Sequence, residues 1–196
     1  EAAQVLRDEA FATGLVHEAT LRSLPAPVAK RIHADLAAHL EGRAAEPARI
    51  ASHWQEAGEG LRAVPHLVAA AQRALAGFQP GVAAQHHETA ADLLLAAGQQ
   101  AQAFDQLFEA AESQGRLSDA ARLRALRDRL HDLARTERQR AMAELMAVRV
   151  ADFEGDYPDL DRHARAILSY ADPAGDRKLQ AYGCMALAAA AFWTGR

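Results

Sequence analysis

The chain has 196 residues, half of them apolar and 6% aromatic, with a net charge of −4 and a pI near 6.1. Such a composition builds a core from Ala and Leu and exerts no global pull on nucleic acid or anionic lipid. Cys184 is the sole cysteine, excluding a disulfide framework and a multi-thiolate zinc site. No apolar run reaches the roughly 18 residues of a membrane span and no signal peptide opens the chain, so a cytoplasmic protein is expected.

Residues 1–24 carry Phe11, Leu15, Val16, Leu21 and Leu24 around Gly14 and end at Pro25-Ala26-Pro27, which removes donors and stops the element. Val28 to Glu41 reads as a helix, with Ile32, Leu36 and Leu40 on one face. Pro47 opens a second helix to about Ala57, and Leu61 to Ala76 is a third, with Pro65 expected in its first turn. Gly77-Phe78-Gln79-Pro80-Gly81 reads as a loop. Ala90, Leu93, Leu94 and Ala97 then mark one apolar stripe, and Phe104, Leu107, Phe108 and Ala111 the next. Leu123, Leu126, Leu130 and Leu133 line a helix from about Leu117. Thr136 with Gln139 is a capping-box signal for a helix to about Phe153. Asp156 caps the next, ending near Tyr170. Asp172 to Asp176 reads as a loop before a final helix, Lys178 to Thr194. With no strand pattern after residue 27, the class is all-α.

Glycines punctuate this series at a fixed interval. Gly58 and Gly98 stand 40 residues apart, as do Gly155 and Gly195, and the step between divides at Gly115 into 17 and 40. Small or apolar residues follow at matching offsets: Ala63, Ala103 and Leu160, then Leu67, Leu107 and Ala164. A glycine that ends one helix, followed by small residues on the next, describes a repeated helix hairpin, and such solenoids bind partners. After Gly115 the offsets fall on Arg124 and Arg127 instead of apolar residues, so that helix is rotated or Gly115 marks only a turn.

Gly155-Asp156-Tyr157-Pro158-Asp159-Leu160 resembles the hairpin turn of tetratricopeptide repeats. Leu15 to Ala19, Ser23-Leu24-Pro25 and Arg31-Ile32-His33 resemble the segment that closes a winged-helix domain in bacterial signal-transduction ATPases. Ala51-Ser52-His53-Trp54-Gln55-Glu56-Ala57-Gly58 is similar to the start of the first repeat in that family. It includes MalT-like and LuxR-type activators, AfsR-like regulators and some adenylate cyclases and kinases. The resemblance implies a tetratricopeptide-like right-handed helical-hairpin solenoid over residues 46–196, truncated at its C-terminus, after a winged-helix end and linking helix at 1–45. It also implies a repeat region that senses an inducer or partner beside an upstream nucleotide switch. The family more often has Asp where Glu18 follows His17. Neither Lys30 nor Lys178, the only lysines, lies in a phosphate-binding Gly-rich loop, so the chain itself is not expected to hydrolyse ATP. Few lysines with much Ala and Leu suit a GC-rich bacterial genome, and the chain reads as a piece of a longer protein.

No catalytic or metal constellation is legible: His86 and His87 are adjacent, His33 and His39 are six apart, and no paired histidines have a carboxylate in register. Eight arginines between 116 and 140 face four acids and no aromatics, which reads as a solvated face with local ion pairs rather than a nucleic-acid surface. The sharper candidate is the concave side of the C-terminal hairpins, where the register collects Met142, Leu145, Arg149, Phe153, Tyr182, Met185, Phe192 and Trp193. The expectation is a non-enzymatic sensor or interaction module of a transcriptional regulator, without cofactor, binding a protein partner or small-molecule effector. It neither touches nucleic acid nor enters a membrane, and it can self-associate through its C-terminal helices. The alternatives are an accessory domain of a signalling cyclase or kinase and a plain scaffold.

Overall fold

The computed structural model describes residues 6–7, 10–11, 24–117 and 119–195. The expected N-terminal set Leu15, Val16 and Leu21, with His17 and Glu18, lies outside them. β1 (Leu6–Arg7) pairs antiparallel with β2 (Ala10–Phe11), Leu6 opposite Phe11. Every other element among the described residues is helical: α1 (Ala26–Gly42), α2 (Pro47–Glu56), α3 (Gly60–Ala76), α4 (Pro80–Ala96), α5 (Gln100–Gln114), α6 (Ala120–Leu133), α7 (Glu137–Glu154), α8 (Tyr157–Ala174) and α9 (Arg177–Thr194). The chain forms two compact units, residues 1–63 and 64–196. No described helix is long and apolar enough to cross a membrane.

In the first unit α1 packs on α2, and Trp54 is the anchor. Its ring is 1% exposed, and its Nε1 donates to Glu41 Oε1 at 2.7 Å. The Arg62 guanidinium lies 3.3 Å from the ring centroid, so the indole face meets a cation while its edge meets an anion. His33 and His53 share a hydrogen bond between Nδ1 atoms 3.0 Å apart, which requires one ring to donate and the other to accept. Burial lowers the pKa of His53; the charges of His33 and Arg49 add to this, against an upward pull from Glu56.

The second unit packs its helices in sequence, α4 on α5 through to α8 on α9, and α7 also touches α5 and α9. One continuous core holds Phe104, Leu107, Leu123, Leu126, Leu130, Met146, Leu160 and Ile167. On α6 the leucines turn inward, leaving Arg124 exposed and Arg127 half-buried, which explains the misfit after Gly115: that helix is rotated by one residue. Gly115 is itself right-handed, at φ −62°, unlike the interval glycines.

The capping box forms, with Thr136 Oγ1 accepting from the Gln139 amide at 3.1 Å and Gln139 Oε1 accepting from the Thr136 amide at 3.2 Å. From there the unit becomes regular: α7, α8 and α9 are each 18 residues long and joined by two-residue links. Gly155, Gly175 and Gly195 close them in the left-handed conformation, at φ 70°, 65° and 70°. Asp156 and Asp176 then cap the following helices by accepting from the amides of Asp159 and Leu179. Several boundaries differ from expectation: α1 starts at Ala26 and α6 at Ala120, where Val28 and Leu117 were expected. α8 runs on to Ala174, because Pro173 falls in its last turn, where one lost bond is tolerated. α4 starts at Pro80, leaving Gly77 to Gln79 as the turn, with Phe78 at φ 56° and 93% exposed. Pro65 lies beyond the first turn of α3.

α9 packs tightly on α8 at Gly183, where a Cβ would stand 2.7 Å from Leu168 Cγ. Gly183→Ala should therefore destabilise the protein by about 1–3 kcal/mol through overpacking. Gly155→Ala, which meets no atom within 4 Å but keeps a positive φ, should lose only about 1–2 kcal/mol. Urea unfolding of both variants measures the difference; a neutral Gly183→Ala would contradict the close crossing.

Candidate functional site

α7 is the shared wall of the site. Met142, Leu145 and Arg149 follow at three- and four-residue steps and so form one stripe, while Ala143, Met146 and Val150 are buried. α5 and α9 pack beside α7, and two adjoining cavities lie along the stripe. The smaller, about 40 Å³, is lined by Phe108 and Glu112 of α5, Met142 and Leu145 of α7, and Tyr182 of α9, with Arg138 and Lys178 also bordering it. The larger, about 200 Å³, shares Leu145 and Tyr182 and adds Val148, Arg149, Met185 and Ala189.

Five of the eight sequence-expected residues thus come together: Met142, Leu145, Arg149, Tyr182 and Met185. The other three line neither cavity. Phe153 is 45% exposed one residue before α7 ends. Trp193 stacks on Tyr157, ring centroids 5.8 Å apart, because α9 ends over the start of α8, and Phe192 meets Trp193 edge-on at 5.2 Å. The register takes no account of where each helix stops, and the three residues it misplaces lie at or near helix ends. Phe108 and Glu112 escape the sequence reading because their helix belongs to an earlier hairpin; their i, i+4 spacing was the available signal.

Arg149 is not a free cation. Its Nη2 lies 2.9 Å from Glu112 Oε1 and 3.1 Å from Oε2, with both side chains about a quarter exposed. Glu112 Oε1 is buried and makes that contact without hydrogen-bond geometry. The Arg149 guanidinium passes close to Gly115, where a Cβ would stand 2.6 Å from Arg149 Nη1. The glycine that interrupts the 40-residue interval thus lies against the guanidinium. Chemically, the site offers sulfur and ring surface, a carboxylate oxygen with spare acceptor capacity, and basic groups at its rim. Among the described residues no three His, Cys, Asp or Glu side chains are placed to hold a metal ion.

The arginine-rich stretch forms a cross-helix lattice rather than an open basic face. Arg122 reaches Glu88 at 2.5 Å, and Arg129 reaches Asp92 at 2.5 Å, both acids lying on α4. Arg124 pairs with Glu154 of α7, and Arg138 with Asp176 at 3.3 Å. Most of these pairs join different helices, where local pairing was expected for Arg122 and Arg129.

On the other side of α7, buried His163 bonds Glu144 and lies 3.2 Å from Asp159, with Arg162 adjacent. Burial pushes the Glu144 carboxyl up, but the hydrogen bond and charge of His163, aided by His131 and Arg162, bring it below its usual range. Asp159 is held low chiefly by the Arg162 hydrogen bond, against burial, with His163 adding. Both carboxyls ionise more easily folded than unfolded. Their stabilisation is therefore present above the ordinary carboxylate range and lost as pH falls through the lowered folded values. The urea midpoint should drop between about pH 5 and about pH 3, and Glu144→Gln should flatten part of that drop. An unchanged pH profile in Glu144→Gln would contradict this. No protein-family model, no curated protein and no solved structure matches the chain.

Proposed function

We propose that this chain is a non-enzymatic helical-repeat binding module, a tetratricopeptide-like right-handed solenoid from a multidomain bacterial transcriptional regulator. The observation that carries the reading is the meeting of Met142, Leu145, Arg149, Tyr182 and Met185 around two adjoining cavities on alternate helices. Regular 18-residue helices joined by Gly-Asp links support the repeat architecture. The larger cavity, about 200 Å³, is smaller than the roughly 300–1,000 Å³ that encloses a whole ligand. It suits one side chain of a protein partner, or a small metabolite. An occupant wedged between α7 and α9 would change the spacing of alternate helices, and a stacked array passes such a change to its neighbours.

A thermal-shift screen of metabolites and peptides tests the reading, because a compound that binds only the folded form raises its apparent stability. The expected result is a hit whose affinity falls about tenfold or more in Tyr182→Ala, the loss usual for a central aromatic contact, with helix content unchanged. Hits that bind Tyr182→Ala as tightly as the wild type would refute the site.

A further inference from the structure

A separate cavity of about 290 Å³ opens between α7 and α8. Both walls are internal helices, with α6 before them and α9 after. α7 brings Glu137, Arg140 and Glu144 to it at steps of three and four, and α8 brings Ser169 and Tyr170. Ala141 and Ala166 complete the lining with small apolar surface. Successive residues turn about 100° around a helix, so Arg140 and Glu144 each stand roughly 200° from Met142. The cavity therefore uses a side of α7 away from the groove, and it shares no lining residue with either groove cavity. The Glu144 carboxylate is already engaged, bonded by His163 and with His131 Nε2 4.0 Å from its other oxygen. Arg122, Arg124, Arg127 and Arg129 of α6 are each ion-paired. The Arg140 guanidinium, by contrast, has no partner among the described residues, and neither has the Glu137 carboxylate or the Tyr170 phenol. Side chains three apart on a helix are neighbours, with Cβ atoms about 5–6 Å apart, so one unpaired cation and one unpaired anion stand side by side in the lining.

We propose that this cavity binds a free α-amino acid with an aliphatic or aromatic side chain, its carboxylate on Arg140 and its ammonium on Glu137. A simple anion would be repelled by Glu137 and a simple cation by Arg140. An α-amino acid carries both charges one carbon apart and satisfies the pair at once. Half-buried Tyr170 offers a ring to the side chain and a hydroxyl to the carboxylate, and the two alanines leave room beside it. The volume of about 290 Å³ lies just below the roughly 300–1,000 Å³ of sites that enclose drug-sized ligands, which matches a molecule of amino-acid size.

NMR titration of the isotopically labelled full chain with L-leucine and with L-phenylalanine tests this. At least one should bind with a Kd of about 1 mM or tighter, the range open to so small a ligand. The backbone amides of Arg140, Ser169 and Tyr170 should shift, while the Met142 and Met185 methyl signals in the groove hold still. Phenethylamine lacks the carboxylate of phenylalanine and 3-phenylpropanoate lacks its ammonium; each should bind more weakly by about tenfold or more, the loss of one charge-assisted contact. Arg140→Gln should cost the amino acids as much with unchanged far-UV circular dichroism, since Arg140 is exposed. The two sites share no residue, so this outcome is separate from that of Tyr182→Ala. No shift with either amino acid at about 10 mM, shifts confined to the groove, or binding to Arg140→Gln as tight as to the wild type would overturn the proposal.

Discussion

The second unit depends on α7 being packed from several sides at once. Eight of its residues are buried: Ala141, Ala143, Leu145, Met146, Ala147, Val148, Val150 and Ala151. A helix buried over so much of its circumference needs small side chains where neighbours come close and larger ones where gaps remain, and this sequence alternates the two. Arg149 interrupts the apolar set; Glu112 neutralises it, and Gly115 lies against its guanidinium. Without the carboxylate the half-buried guanidinium would carry an unpaired charge against an apolar wall.

Regular linkage turns this packing into a surface. Three helices of 18 residues, each closed by a left-handed glycine, reverse the chain every 20 residues and return it to the same level every 40. Every second helix then runs in the same sense, and α5, α7 and α9 expose comparable stretches to one groove. The intervening helices supply rigidity. α6 is fastened to α4 by Arg122 and Arg129, and α8 to α7 by His163 and Glu144. The two exposed pairs to α4 contribute little stability one by one, whereas the His163–Glu144 pair is largely shielded from solvent.

Much of this was legible in the residues. Thr136 with Gln139, Asp156 after Gly155, and the leucine stripe of residues 123–130 each carry a local signal that tertiary packing does not override. Pro173 misled because a proline in a last turn resembles one in a loop; Gly175, two residues later, is the true stop. The groove was half legible. Periodicity groups the residues that share one side of α7 and of α9, and Met142, Leu145, Arg149, Tyr182 and Met185 from those groups line the two cavities. It cannot register that Trp193 stacks on Tyr157 at the start of α8, nor that Glu112 from 37 residues earlier neutralises Arg149. Long-range pairing leaves no periodic trace, and Arg122 with Glu88 is the same case.

The chain contains three methionines, and they occupy diagnostic places: Met142 and Met185 line the groove, whereas Met146 is fully buried in the core. Methyl NMR of methionine-labelled protein, titrated with compounds that raise its melting temperature, therefore tests the central claim most directly. If the alternate helices form one binding surface, the Met142 and Met185 resonances move together on a single saturation curve while Met146 stays nearly still. Movement of Met146 alone, or of Met185 without Met142, would contradict it.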